Sequence, residues 1–337
     1  MVTIKDVAER AGVNPSTVSR ALKDSSAISQ KTKDRVKKAM DELGYVPNVA
    51  AKMLASGLTR SVGVILPPLT KDRVAQPFFM EILTVINNEA KKRSFTVSIA
   101  TASTVEELTE HVELMYKQRR VDGFIVLYSQ KDDTVREYLT AQNIPFVVVG
   151  EPEELGNEIT YIDNDNQLMG RTAVDVLIEN GHDKILFVTD DLNSQVFSER
   201  YLGYQIEMTK RGLVAEYPIL FDKEDALSLD AFKSLLDKTE ATALVVVDDM
   251  LSVRVIQFLS FYDINVPHDV SIVSFNNSSY AKIIHPYLTT FDINIPQLGK
   301  ASLARLLDKL DVSKDENEKV IVPFKLKKRE SVRNLKK

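Results

Sequence analysis

Cysteine is absent from the 337-residue chain, which excludes a disulfide framework and any thiolate-held metal. The four histidines, His111, His182, His268 and His285, lack the close spacing of a metal cluster. His182 follows Gly181 at an expected helix end, where histidine commonly serves as a structural cap. No P-loop and no GxGxxG after a strand is present, so nucleotide-dependent chemistry lacks its phosphate cradle. The N-terminus has no apolar signal core, and no run of 18 uncharged apolar residues occurs. Secretion and membrane spanning are therefore not expected, and the cytoplasm is the expected compartment. There is no low-complexity segment. Asp190-Asp191 and Asp248-Asp249 stand as adjacent pairs at strand ends, which fits hydroxyl binding better than a general acid and base. Neither an enzyme, a cofactor nor a metal site is expected.

What is present is unevenly distributed. Residues 1–60 hold 11 basic and 6 acidic side chains, a net +5, against −10 for the remainder. A basic head on an acidic body fits a nucleic-acid-binding module joined to a soluble sensor. In the head, Val7 and Ala8 give one apolar face, Gly12 breaks the first helix, and Pro15 sits in the first turn of the next. Val18, Ala21 and Leu22 form the buried side of that second helix. Ser16, Thr17, Ser19, Arg20 and Lys23 are left for its other faces. Helix, glycine-containing turn, helix is the spacing of a helix-turn-helix. Short hydroxyls and an arginine on the second helix suit base edges and phosphates in a major groove.

From Ser61 onward the pattern alternates. SVGVILP, TVSIATA, DGFIVLYS and PFVVVG read as strands, separated by helical stretches at 79–93, 106–118 and 134–142. A second series begins near Asp163, with helices at 165–180, 197–211 and 250–261 between KILFVTD, YPILFD, ALVVVDD and VSIVSFNN. VIVPFKLKKRES reads as a closing strand. Apolar strands alternating with amphipathic helices imply parallel sheets covered on both faces, here in two doubly wound lobes. Ligands bind at the carboxyl ends of such strands. Those ends carry Tyr128-Ser129, Gly150-Glu151, Asp163, Asp190-Asp191, Asp248-Asp249 and Asn276-Asn277, which converge on one cleft if the lobes face each other. Gln76-Pro77-Phe78-Phe79 lies at the end of the first strand. Taken alone, the two aromatics suit a core as well as a ligand.

The stretches TIKDVAERAGV, STVSRAL, Thr32 to Lys38 and LGYVPNVAAKML are dense and collinear, and they resemble the lactose-repressor (LacI/GalR) family of bacterial transcription regulators. The terminal Arg329-Glu330-Ser331 resembles the family's closing motif, so the resemblance spans nearly the whole chain. It implies an all-α helix-turn-helix DNA-binding head plus an α/β body like a periplasmic sugar-binding protein. The implied domains are 1–46 for the head, 47–60 for a hinge helix and linker, and 61–337 for effector binding and dimerisation. Within the body, one lobe takes about 61–160 and 292–323, the other about 161–291 and 324–331. The chain would cross between them near Tyr161, Phe291 and Pro323.

The resemblance also implies a homodimer on palindromic operator double-stranded DNA. The DNA contacts would come from Thr3, Ser16, Thr17, Arg20, Tyr45, Asn48, Ala51, Lys52 and Leu54. The segment from Asn48 to Ala55 is too short to be a stable helix alone. Leu54 matches the leucine that family members wedge into the minor groove, where unstacking is offset by a bent, better-contacted duplex. The bland alternative packs Met53 and Leu54 against the body. Effector contacts are implied for Phe78, Phe79, Tyr128, Asp163, Arg200, Asp249 and Asn276. Many relatives carry Asp where Asn276 stands, and an amide offers a donor as well as an acceptor. QPFF, SIATA, RVDGFIVLYSQ, YIDNDN, SFNNS and DINIPQLG resemble the family's maltose-responsive branch, which implies a maltose-type sugar as effector. A second reading is a plain small-molecule binding protein with a vestigial head, against which stand the basic charge and the intact STVSR.

Overall fold

The computed structural model describes residues 2–22, 24–45, 57–68, 76–130, 133–152, 158–222, 225–311 and 316–336. Two compact units emerge, Met1–Thr59 and Arg60–Lys337. No helix among the described residues is long and apolar enough to cross a membrane.

The first unit holds helices Ile4–Ala11, Pro15–Leu22 and Gln30–Leu43. Thr3 opens the first with a capping box: its hydroxyl accepts from the Asp6 N–H, and its own N–H donates to Asp6 Oδ2 at 2.7 Å. Gly12, at φ +61, closes that helix in the left-handed conformation that glycine adopts without a Cβ penalty. Ser29 caps the third helix. Val7, Ala8, Ala11, Val18, Val36 and Ala39 are buried together as a miniature core. The expected hinge positions Asn48, Ala51, Lys52 and Leu54 lie outside the described residues.

The second unit contains twelve described strands. They are β1 Ser61–Ile65, β2 Thr96–Ala100, β3 Phe124–Val126, β4 Phe146–Val149, β5 Tyr161–Asp163 and β6 Ile185–Thr189. There follow β7 Ile219–Leu220, β8 Ala243–Val246, β9 Ser271–Phe275, β10 Thr289–Asp292, β11 Lys319–Ile321 and β12 Lys325–Lys327. One sheet has the order β11-β5-β4-β3-β1-β2 and the other β12-β10-β9-β8-β6-β7. All pairings are parallel except β10 with β12. β1, β3, β4, β6, β8 and β9 are buried throughout, as sheets covered on both faces require.

Three details differ from the sequence reading. β5 pairs with β4 and β11 and so belongs to the first lobe, which moves the first crossing from near Tyr161 to beyond Asp163. The closing segment is two strands in different sheets instead of one, divided at 322–324, where the sequence reading had placed a crossing near Pro323. Helices Ala226–Thr239 and Ile295–Lys309, with strand β10, had no counterpart in that reading.

The three crossings are tied together by one side chain. Asn164 Nδ2 donates to Ile293 O at 3.1 Å and to Val322 O at 2.8 Å. Helices Asn166–Glu179 and Gln195–Lys210 then cross at backbone contact in the second lobe. A Cβ on Gly170 would stand 2.0 Å from Arg200 O, and one on Gly203 would stand 2.1 Å from Gln167 O. Only glycine permits that approach, and it brings Arg200 beside Asn166.

Candidate functional site

In the head, the helix Pro15–Leu22 buries Val18 and leaves Ser16 and Arg20 exposed, with Thr17 partly so. Its first turn is secured by Asn14 O, which accepts from the Thr17 and Val18 N–H groups. The side chain of Arg20 forms no ion pair among the described residues. Thr3 is exposed at the start of the first helix, and Tyr45 packs half-buried against the small core. The unit therefore presents hydroxyls and a guanidinium on one short helix, the donor and acceptor types that read base edges and phosphates.

The second unit has a cleft between its two sheets. Gln76, Pro77 and Phe78 from the first lobe face Asp248, Asp249, Met250, Asn276 and Ser278 from the second across a narrow gap. The cavity volume is about 10 Å³, on the order of what a single water needs, so a disaccharide would need the lobes to part. Gln76 Nε2 reaches across to Asp248 Oδ2 at 3.4 Å. Elsewhere the lobes meet through an antiparallel bridge between Gln130 and Ser194, and the Gln195 N–H donates to Ser129 O at 3.4 Å. The Phe78 and Phe79 rings meet edge to face at 5.4 Å, and both are half-buried. Both pack against the core, and Phe78 also lines the cleft.

The adjacent aspartates have different tasks. Asp248 caps helix Asp249–Phe261 by accepting from the Leu251 N–H at 2.7 Å, and it retains contact with solvent. Asp249 is almost fully buried. Its Oδ1 accepts from the Ser274 and Thr290 hydroxyls, and its Oδ2 from the Ser278 N–H at 2.6 Å. Burial pushes the Asp249 carboxyl up, and those three donors pull it back. Asp249 thus organises the cleft wall, while Asp248 carries the carboxylate with an oxygen turned to the opposite lobe.

Arg200 and Asp163 lie deeper. Arg200 Nε donates to Asn166 Oδ1 at 3.0 Å and Nη1 to Val247 O at 2.6 Å, with the guanidinium 4.3 Å above the Phe275 ring. Burial lowers its pKa to about 10, opposed by the charge of Asp163. Burial raises Asp163 to about 6, although its carboxylate accepts from the Glu151 and Asn164 N–H groups and from Asn166. Asn166 therefore links the two charges. Tyr128 is buried in the first lobe, and its hydroxyl donates to Asp133 Oδ1 at 3.2 Å. Of the seven expected effector residues, Phe78, Asp249 and Asn276 border the free space; Phe79, Tyr128, Asp163 and Arg200 do not. Gln76, Pro77, Asp248, Met250 and Ser278 border it too; Gln76-Pro77 and Asp248 were placed at strand ends in the sequence but not among the effector contacts, and for Asp248 the helix-capping position was a further signal.

His182 is structural. It is buried, bonded to Thr242 Oγ1 and Arg333 O at 2.9 Å each, and its pKa is lowered by that burial.

Residues 3–48 match the model for bacterial regulatory proteins of the lacI family, and residues 174–332 match a periplasmic binding protein-like domain. The HTH-type transcriptional regulator MalR of Staphylococcus xylosus is 30% identical over 332 residues, covering 98% of each chain. A solved complex of the transcriptional regulator CelR with cellobiose is 26% identical, with a TM-score of 0.74 over 98% of this chain and 100% of that one. The lac repressor dimer bound to operator and the anti-inducer ONPF is 25% identical, with a TM-score of 0.79 over 98% and 99% of the two chains.

Proposed function

The chain belongs to the lacI family of bacterial regulatory proteins, and from that premise we propose a homodimeric repressor, working in the cytoplasm, that binds a palindromic operator and releases it on binding a maltose-type sugar. It is a transcription regulator, as its relatives are, and not an enzyme. We assign 1–46 to DNA reading, 47–60 to the hinge and 61–337 to effector binding and dimerisation. Ser16, Thr17 and Arg20 read the major groove, Thr3, Tyr45, Asn48 and Lys52 position the head, and Leu54, with Ala51 beside it, wedges between base pairs.

The observation that carries the sensor assignment is the cleft: an aromatic ring, Phe78, on one wall and the Asp248 carboxylate with the Asn276 amide on the other. An apolar ring face with a few polar groups suits a sugar's C–H face and hydroxyls. The maltose assignment is supported by the likeness to MalR, and the CelR complex makes cellobiose the second sugar to try. Sugar that holds the lobes in one arrangement shifts the dimer between DNA-binding states, a coupling of ~1–3 kcal/mol, or about 5–150-fold in affinity.

Thermal melting of the full chain against maltose, cellobiose and glucose tests the sensor, and a gel shift with operator-like DNA tests the head. Maltose at 100 times its dissociation constant should add about 2.7 kcal/mol of stability and release the DNA. Stabilisation by cellobiose alone would replace maltose as the effector. DNA affinity that stays flat across ~50–200 mM salt would remove the repressor reading, since phosphate contacts must release counterions.

A further inference from the structure

We propose that Arg329, in the tail after β12, is a positioning residue for the effector cleft; this rests on the cleft being the sugar site. The observation begins at Asn276 and Asn277, consecutive non-glycine residues at φ +96 and +51. Such a turn is strained and persists only where its surroundings over-determine it. Its backbone is pinned from one side: Asn276 N–H donates to Phe291 O at 2.9 Å, Asn277 N–H to Thr290 Oγ1 at 3.3 Å, and Ser278 N–H to Asp249.

Side chains on the turn alternate. Asn276 and Ser278 border the cleft, and Asn277 does not. The Asn277 amide oxygen instead accepts from Arg329 Nη2 at 2.5 Å, and its Nδ2 donates to Asp292 Oδ2 at 3.3 Å. Arg329 uses Nη1 on Leu288 O at 2.7 Å and its backbone N–H on Thr289 Oγ1 at 2.9 Å. One planar guanidinium thus fixes the loop before β10 and the turn after β9 at once. A lysine ammonium lacks that fork. The tail is itself anchored by buried Ser331, whose hydroxyl donates to Ile272 O at 2.6 Å and accepts from the Thr289 N–H at 2.8 Å. Removing the guanidinium therefore leaves the Asn277 amide oxygen without its donor and loosens the turn while Ser331 still holds the tail, so the aim of Asn276 and Ser278 into the cleft is less firmly fixed.

The test uses the full-length protein with Arg329→Lys and Arg329→Ala, read by maltose titration and by amide hydrogen exchange without ligand. Arg329→Ala should weaken maltose binding about tenfold. Exchange at the Asn276–Ser278 amides should rise while β9 and β10 stay protected. Arg329→Lys should fall between it and the wild type in both. Wild-type exchange at Asn276–Ser278 in Arg329→Ala would overturn the proposal, and so would loss of protection spread evenly through β9 and β10. If the wild-type chain does not bind maltose, the sugar assignment is what fails, and the exchange pattern alone decides the role of Arg329.

Discussion

Replacing Gly203 by alanine sets two effects of opposite sign against each other. Within a helix the change alone should stabilise by about 0.5–1 kcal/mol, because glycine loses more conformational freedom on folding. The new methyl, however, would lie 2.1 Å from the backbone carbonyl of Gln167. A carbonyl in a helix cannot swing aside like the tip of a side chain, so the two helices must separate by about 1 Å, at a cost of ~1–3 kcal/mol. That separation also stretches the Arg200–Asn166 bond, now 3.0 Å, and a bond to a charged group is worth ~1.5–3 kcal/mol. The clash should win, with a net loss of about 2–4 kcal/mol and a melting point lower by roughly 5–10 °C. Urea unfolding followed by circular dichroism measures it. Gly170→Ala meets Arg200 O at 2.0 Å in the same crossing, so the double variant should lose less than the sum of the singles. A Gly203→Ala protein as stable as the wild type, or more so, would refute the close crossing and with it the placement of Arg200.

Other expectations follow from particular groups. Asp163, raised by burial to about 6 from 3.8, holds its proton more tightly folded than unfolded. Stability should therefore rise as pH falls from about 6 towards 4 and be lost again on going up, by on the order of 2–3 kcal/mol relative to Asp163→Asn, measured by urea titration at each pH. Asp249→Ala strands three buried donors and should cost on the order of 3 kcal/mol. Asp248→Ala should cost only about 1 kcal/mol as a lost helix cap yet weaken sugar binding; calorimetry showing the reverse order would exchange their roles. Arg20→Ala should lose ~1–3 kcal/mol of operator affinity and relax preference at one base pair per half-site. Uniform weakening on all sequences in a gel shift would make Arg20 a phosphate contact.

Strands buried on both faces were legible because short runs rich in β-branched residues, such as VVVG and ILFVT, alternate with longer amphipathic helices. Short edge elements were not. β5 is three residues, Tyr161–Asp163, and its membership of the first sheet is decided by pairing with β11, more than 150 residues later. No local pattern records such a partner. VIVPFKLK is likewise continuous in composition, and its division beside Pro323, where Val322 O accepts from Asn164, was expected from the family resemblance and not from the local pattern. Crossings are set by long-range bonds, and apolar periodicity passes through them unchanged.

The cleft residues divide along similar lines. Asp248-Asp249 announces a polar strand end, and both residues border the cleft. Which carboxylate is spare depends on where the helix starts. As the residue before the first helical position, Asp248 spends one oxygen on the Leu251 N–H, and its other oxygen meets Gln76. One residue further on, Asp249 points inward, where Ser274 and Thr290 from two neighbouring strands and the Ser278 N–H consume both of its oxygens. A shift of one residue in the helix start would exchange the two tasks. The spare carboxylate therefore follows from the cap, a geometric fact about one turn of backbone, and the Asp248 and Asp249 variants measure that fact directly.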